Sequence, residues 1–464
     1  MDKIEIPFKD FIDEKSGEVV KTTGVEEGEI LYSINHDSRA IQTGQWFICL
    51  RGEAGDGHEF IINAAEKGAC GIIYESGNDV SFLDSKIKTV EVKDTTRFLG
   101  ILANRWRNIV NPVIIAITGS NGKTSTKEMV AFLLDHAFPQ KVFHSRGNWN
   151  NHFGLPFSLL NMRKTDEYAV VELGTNHPGE IAYLSKIARP DYSIVTSVAS
   201  GHIGNFGSVE KIAEEKSSIV DGMFGGFLSL PEKIPGREIF EAKAKKQNIE
   251  VIFGNKQLSK IASDGEYSHF QYQNLEYVLP LSGVHQFENF KLAVSILEKV
   301  GLTPEMLKSA FSDLNRLTNV PGRLTRREHS EYQVWDDSYN ANPASFKAAI
   351  DFVHEIAKTG AKVGAFGMMG ELGEFTISAH KELGKVAALC EFSLILFYST
   401  ETAVCEAFKD GYFSVSKVGD ICFATNAEQF EKCSLLLKEK MKPGDHLLVK
   451  GSRAAKMERI FNFI

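Results

Sequence analysis

Thr118-Gly119-Ser120-Asn121-Gly122-Lys123-Thr124-Ser125 follows an apolar run, Val113-Ile114-Ile115-Ala116-Ile117, and precedes a helical pattern from Thr124 to about Phe138. The run reads as a buried parallel strand, and Met129, Val130, Phe132 and Leu133 form the apolar side of the helix. Strand, glycine turn and helix together make the setting of a phosphate-binding loop. Gly119 and Gly122 let backbone N–H groups close on phosphate oxygens, with Ser120, Asn121 and Ser125 beside them, and the helix N-terminus adds a positive dipole. Lys123 can reach the terminal phosphates, and the Thr124 hydroxyl can hold Mg²⁺. The general phosphate-loop pattern has a glycine five residues before Gly122; here Ile117 stands there, so the loop is a shorter variant. A plain turn is the rival reading, and the strand–helix context counts against it.

The chain has 464 residues, enough for about three domains of ordinary size. A 43% hydrophobic share with 24% charged residues is that of a globular protein. The net charge of −8 argues against a nucleic-acid partner, which calls for a basic face. No run of about 18 apolar residues exists, so no membrane span is expected; the charged N-terminus lacks the apolar core of an export signal. Cys49, Cys70, Cys390, Cys405, Cys422 and Cys433 include no C-x-x-C pair and read as reduced thiols of a cytoplasmic protein.

Outward from the loop, residues 113 to about 318 alternate strands and helices, which implies a parallel sheet. The strand Tyr168 to Leu173 carries Glu172 at its end, and Asp191 to Val198 ends near His202. Ligands of open α/β sheets sit beyond the carboxyl ends of strands. Glu172, an oxygen donor, is therefore the better Mg²⁺ candidate and His202 the less usual one. Gly147 to Gly154, which holds Asn151 and His152, is rich in amides suited to polar ligand groups, although such residues also make turns. Ser208 to Met223 reads as a helix in which Lys216, beside Glu214 and Glu215, suits a surface ion-pair face. Residues 226 to 280 read as a small β insertion. Asn289, at the head of the helix to about Val300, could pair with an adenine edge.

Before the loop, residues 1 to 95 form a unit in which Asp37-Ser38-Arg39 reads as a polar turn or helix cap. Gly52 to His58 reads as a flexible glycine-rich loop. After about 318, strands at Val334, Val363, Leu394 and His446 alternate with helices, a second open α/β sheet, and Ser452-Arg453 starts the last helix. The strand at Val334 ends on Asp336 and Asp337.

These stretches agree in order with a known family. The chain resembles the Mur ligases through D-S-R at Asp37, T-G-S-N-G-K-T-S at Thr118, G-N-W-N-N-H-F-G-L-P at Gly147 and V-E-L-G-T-N-H-P-G-E-I at Val171. H-I-G-N-F-G-S at His202, A-E-E-K at Ala213, P-G-R-L at Pro321, D-D-S-Y-N-A-N-P at Asp336 and V-K-G-S-R at Val449 extend the match. The N-N-H-x-G-x-P and S-Y-N-A-N-P stretches, with E-L-G at Glu371, are similar to the branch that adds D-alanyl-D-alanine; the D-N-P-[RA] signature of the third-residue ligases is absent.

The resemblance implies an N-terminal UDP-binding α/β domain (1–95), a central ATP-binding domain (96–318) and a C-terminal Rossmann-like domain (319–464). It implies ATP and Mg²⁺, with UDP-N-acetylmuramoyl-tripeptide and D-alanyl-D-alanine as the species joined. Ser38 and Arg39 would meet the uridine end, and Asn151 and His152 the substrate. Thr124, Glu172, His202 and a carbamylated Lys216 would form the metal site. Asn289 would meet adenine, and Arg323, Asp337 and Asn340 would approach the nucleotide from the C-terminal side. A cytoplasmic monomer is expected. Met368 stands where the family often has an acid, and Pro178 and Asn205 also depart from the pattern. Another ligase of the family, such as a third-residue ligase or folylpolyglutamate synthase, and a nucleotide-binding regulator without catalysis are the alternatives.

Overall fold

The apolar run at Val113 becomes an inner strand of a six-stranded sheet, parallel throughout, in a computed structural model of the protein. The model describes residues 4–9, 17–26, 28–52, 55–263, 266–317 and 320–464. Glu53 and Ala54, in the expected glycine-rich loop, lie outside the described residues, as do residues 318 and 319 at the expected boundary before the third unit.

The central sheet runs Val142–His144, Tyr168–Glu172, Val113–Thr118, Tyr192–Val195, Phe227–Leu230, Glu250–Phe253. Alternation along one strand divides the core: Ile114 and Ala116 pack on one face, Ile115 and Ile117 on the other. Because all strands point one way, Thr118, Glu172 and Val195 end at the same edge. The region read as a β insertion is smaller than expected. Phe227–Leu230 and Glu250–Phe253 extend the parallel sheet around the helix Arg237–Lys246, while Ser259–Ser263, Ser268–Tyr272 and Leu275–Leu279 form a separate three-stranded antiparallel meander. Short strands in a polar stretch carry no mark of the sheet they join.

The first unit is a five-stranded sheet ordered Val19–Thr23, Lys88–Val92, Gly71–Glu75, Trp46–Ile48, Ile34–Asn35, parallel except at the first strand. The helix Thr95–Val110 joins it to the central sheet. Trp106 Nε1 donates to the Met162 carbonyl at 2.9 Å, and buried Arg107 donates to Ala188 and Arg189 carbonyls at 3.0 and 3.1 Å, closing the end of the helix Glu180–Ala188.

The third sheet is ordered Thr325–Arg327, Gln333–Asp337, His446–Lys450, Lys362–Gly367, Phe392–Tyr398, Asp420–Ala424, with the first strand antiparallel and the rest parallel. Leu448 faces one apolar layer, Leu447 and Val449 the other. Arg453 does not open an α-helix: Arg453–Ala455 and Met457–Asn462 are 3-10 turns, separated at Lys456, whose φ of 47° is left-handed. The reading of six thiols fails at one pair. A disulfide joins Cys422 in the last strand to Cys433 in the helix Ala427–Lys440, 11 positions on, because the strand turns straight back into that helix. Cys49, Cys70, Cys390 and Cys405 are thiols. No helix among the described residues is long and apolar enough to cross a membrane.

The helices Thr376–Leu389 and Thr402–Phe413 pack through glycines on both sides. A Cβ at Gly411 would meet the Lys381 carbonyl oxygen at 1.8 Å, and one at Gly384 the Phe408 carbonyl oxygen at 2.1 Å. Backbone cannot yield as a side-chain tip can, so Gly411→Ala is expected to destabilise the protein by roughly 3 kcal/mol through overpacking. Exposed Leu389→Ala, at the end of the partner helix, should shift stability by less than about 0.5 kcal/mol. Chemical denaturation of both variants checks the contrast.

Candidate active site

The parallel strands deliver the phosphate loop to a cleft of about 1220 Å³ between the central and third domains. Gly119 has φ 150°, and a Cβ there would stand 2.0 Å from Thr196 Oγ1; Gly122 has φ 83° and faces the Asn289 amide. Both positions require glycine. The neighbouring strand end braces the loop: the Thr196 hydroxyl donates to the Asn121 carbonyl at 2.5 Å, and Ser197 Oγ accepts from the Asn121 N–H at 2.9 Å. Lys123 heads the helix Lys123–Ala137 and folds back to donate to the Gly119 carbonyl at 2.8 Å. Loss of water around its ammonium pushes its pKa down; Glu172 acts against this and Arg323 with it.

Glu172 joins the loop to the amide-rich segment. Oε2 accepts from Thr124 Oγ1 at 2.8 Å, and Oε1 from Asn150 Nδ2 at 2.7 Å. Lys216 is not on a surface ion-pair face. It is 3% exposed, and its amine has no hydrogen bond among the described residues. Burial first, then repulsion from Lys123, lower its pKa to about 7, with Glu215 opposing. Glu215 is also buried and caps the helix Glu180–Ala188, accepting from the Gly179 and Ile181 N–H groups at 2.7 and 2.8 Å. His202, at a left-handed φ of 60°, pairs through Nδ1 with Glu371 of the third domain. Among the described residues no three His, Cys, Asp or Glu side chains converge on a metal position.

The third domain supplies a cationic wall. Lys450, 1% exposed, donates to Asp337 Oδ2 at 2.5 Å and to the Asn340 carbonyl at 3.0 Å, and burial lowers its pKa against the pull of Asp337. The Arg323 guanidinium lies 4.2 Å from the Tyr339 ring centroid, with its Nε buried and unpartnered. Asp336, the other carboxylate of the pair, is used locally: it accepts from Ser338 and Arg327.

The cleft therefore gathers Ser120, Asn121, Gly122, Lys123, Thr124, Ser125, Asn151, His152, Glu172, His202, Asn289, Arg323, Asp337 and Asn340; Gly119 accepts from Lys123, and Lys216, outside the lining, is close enough for Lys123 to repel its charge. Asn151 spends its amide oxygen on the Gly154 N–H at 2.8 Å, a turn role. Ser38 and Arg39 stand apart in the first domain. Asp37 caps their 3-10 turn, and its hydrogen bond with Arg39 holds the carboxyl down at about 2; Ser38 is buried while the Arg39 side chain is 85% exposed. The ring of adjacent His36 lies tilted against Phe157 in the helix that follows the amide-rich segment, centroids 4.6 Å apart, so the two regions touch. Sequence reasoning missed Lys450 and Asn150 as site residues. Both lie inside quoted motifs, and only the fold shows where their side chains point.

A phosphate loop on a parallel sheet, faced across the cleft by Arg323 and Lys450 of the third domain, defines a nucleotide-dependent enzyme whose site is shared between domains. Three family descriptions match in chain order: Mur ligase family, catalytic domain, over residues 31–107; Mur ligase middle domain, over 117–297; and Mur ligase, glutamate ligase domain, over 322–453. The UDP-N-acetylmuramoyl-tripeptide–D-alanyl-D-alanine ligase of Bacillus subtilis (strain 168) is 30% identical over 94% of this chain and 93% of its own. The crystal structure of MurF from Acinetobacter baumannii superposes with a TM-score of 0.81 at 28% identity, covering 94% of this chain and 93% of that one. MurF ligase from Thermotoga maritima in complex with ADP gives 0.78 at 28% identity, covering 93% and 97%. The chain belongs to the Mur ligase family.

The Lys123 side chain donates its hydrogen bond within its own loop, to the Gly119 carbonyl, so Lys123→Ala is expected to leave the melting temperature within about 2 °C of the parent while nucleotide turnover falls by at least about 100-fold. Near-parental turnover in the folded variant would falsify its role.

Proposed function

We propose that this chain joins D-alanyl-D-alanine to UDP-N-acetylmuramoyl-tripeptide, converting ATP to ADP and phosphate through an acyl phosphate. The observation that carries the reading is the cleft itself, where Lys123, Arg323 and Lys450 converge from two domains, combined with the near full-length similarity to ligases of that name. We assign residues 1–95 to the UDP end, 96–318 to ATP and 319–464 to closure over both. The contact of His36 with Phe157 supports a ligand path from the Ser38 turn towards Asn151 and His152. The reaction belongs to the cytoplasm, where ATP is available, and one chain holds every group it needs.

The terminal carboxylate of the tripeptide attacks the γ-phosphorus, the bond to ADP breaks, and an acyl phosphate forms. The dipeptide amine then attacks the acyl carbon, phosphate leaves, and the amine loses its proton. Two anions must meet in the first step, so charge neutralisation and positioning supply most of the rate. Lys123 swings from the Gly119 carbonyl to the terminal phosphates, while Arg323 and Lys450 face them from the other wall. The oxygen donors of Thr124 and Glu172, already 2.8 Å apart, fit Mg²⁺, which keeps several waters and needs few protein ligands. When bound, Mg²⁺ would neutralise phosphate oxygens. His202 must first leave Glu371 to join them.

Lys216 fits a second role in the same corner. Its amine, shifted to about 7, is neutral enough near pH 7 to attack carbon dioxide; the product is a carbamate and a released proton. That turns a buried cation next to Lys123 into an oxygen ligand. Carbon-13 NMR in labelled bicarbonate should show one carbamate resonance that Lys216→Ala lacks; its absence from the parent protein refutes the modification.

The substrate assignment is tested by incubating the protein with ATP, the UDP-tripeptide and, separately, D-alanyl-D-alanine, D-alanine, L-lysine, diaminopimelate or glutamate. Mass analysis should find product only with the dipeptide, heavier by both alanine residues. A product with a single amino acid, or none with the dipeptide, overturns the assignment.

A further inference from the structure

The phosphate loop touches the third domain directly. Asn342 Nδ2 donates to Asn121 Oδ1 at 2.8 Å, and the return contact between the amides is 3.5 Å, across 221 positions of sequence. Each partner is fastened inside its own domain. The Asn121 backbone is tied to Thr196 and Ser197 through both its carbonyl and its N–H. Asn342 forms a capping box at the head of the helix Pro343–Ile356: Oδ1 accepts from the Ser345 N–H at 2.9 Å, and its own N–H donates to Ser345 Oγ at 3.0 Å. One amide group thus caps a helix with its oxygen and grips the phosphate loop with its nitrogen.

The segment before Asn342 carries the cationic wall. Lys450 pins it at Asp337 and at the Asn340 carbonyl, and Arg323 stacks on Tyr339. With the segment held at that end, the seat of Asn342 sets how Asp337, Tyr339 and Asn340 stand over the loop. Other contacts between these domains involve charge: Arg326 Nη1 donates to Glu266 Oε1 at 2.9 Å. His202 meets Glu371, and the Gly204 N–H donates to the Glu371 carbonyl at 3.2 Å. His202 would have to leave that pair to serve as the metal-site residue proposed above. The amide pair is neutral, uses neither Lys123 nor a phosphate-facing N–H of the loop, and presents no charge for phosphate to repel. It is therefore compatible with a filled site as well as an empty one.

We propose that Asn342 is a positioning residue that holds the third-domain wall in register with the phosphate loop through Asn121, a role whose kinetic consequence rests on the ligase reading above. The rival explanation is that Asn342 only caps its helix. Asn342→Ser separates the two, because serine caps as well as asparagine but its hydroxyl is too short to reach Asn121. The experiment compares Asn342→Ser, Asn121→Ala and the double variant by melting temperature, steady-state ligation, and radius of gyration from small-angle X-ray scattering without ligands.

The expected result is an unchanged melting temperature for Asn342→Ser, kcat lowered roughly tenfold in each single variant, and no further loss in the double, since one lost hydrogen bond and the misplacement it allows act once. KM for ATP should stay within about twofold of the parent, because the phosphate contacts remain. All three variants should be more expanded than the parent. Multiplying losses in the double variant, or a melting temperature that falls in step with activity, would overturn the proposal. A parent that ligates while the variants neither slow nor expand would also overturn it. A parent that does not ligate although the variants expand would instead refute the ligase reading and leave the docking contact standing.

Discussion

An excess of buried positive charge around one cleft is the constraint to which the rest of the structure answers. Lys216 and Lys450 are almost wholly buried, and Lys123 and Arg323 are half-buried beside them. Burial pushes the pKa of all three amines down. Glu172, Glu215 and Asp337 oppose this, but Glu172 also holds Thr124 and Asn150, Glu215 caps a helix, and Asp337 accepts from the Leu324 N–H. Such a cluster is costly in an empty protein and becomes favourable once an anion with several oxygens enters. A polyphosphate answers that need, and a carboxylate brought beside it meets the same cations.

The fold creates this concentration by geometry. A parallel sheet places the ends of successive strands along one edge, so residues 118–125, 172 and 196–202 become neighbours although they are far apart in sequence. The third sheet repeats the arrangement and turns its own strand ends, Asp337 and Lys450, towards the first. Neither edge makes a closed site alone. The sharing explains why backbone turns at the contact are so restricted: His202 and Glu371 both take left-handed conformations where the two domains meet.

Much of this was legible in the sequence. The loop from Gly119 to Thr124 announced its geometry through its two glycines and its strand–helix flanks, and Glu172 and Asp337 stand where strand ends put them. Lys216 was misread from local evidence, since two adjacent glutamates suggest an exposed helix; the fold instead turns Glu215 and Lys216 inward, the first to cap a helix. Lys450 lies inside the V-K-G-S-R stretch, but nothing local marks its role, because a lysine ending an apolar strand reads as its solvated end. Asn121 and Asn342 illustrate the general gap: each sits in a recognisable motif, while their hydrogen bond depends on two domains being docked. The disulfide between Cys422 and Cys433 escaped for a related reason, as it is made by a strand and helix that sequence periodicity did not resolve.

Amide formation through a phosphorylated carboxylate leaves its record in oxygen atoms. UDP-tripeptide labelled with oxygen-18 in its terminal carboxylate is incubated with unlabelled ATP, D-alanyl-D-alanine and the protein, and the released phosphate is examined by mass spectrometry. Attack of the carboxylate on the γ-phosphorus, followed by departure of phosphate from the acyl carbon, must carry one labelled oxygen into each phosphate formed. Phosphate that carries the label at the level of the starting carboxylate is the expected result; ligation accompanied by unlabelled phosphate would contradict it.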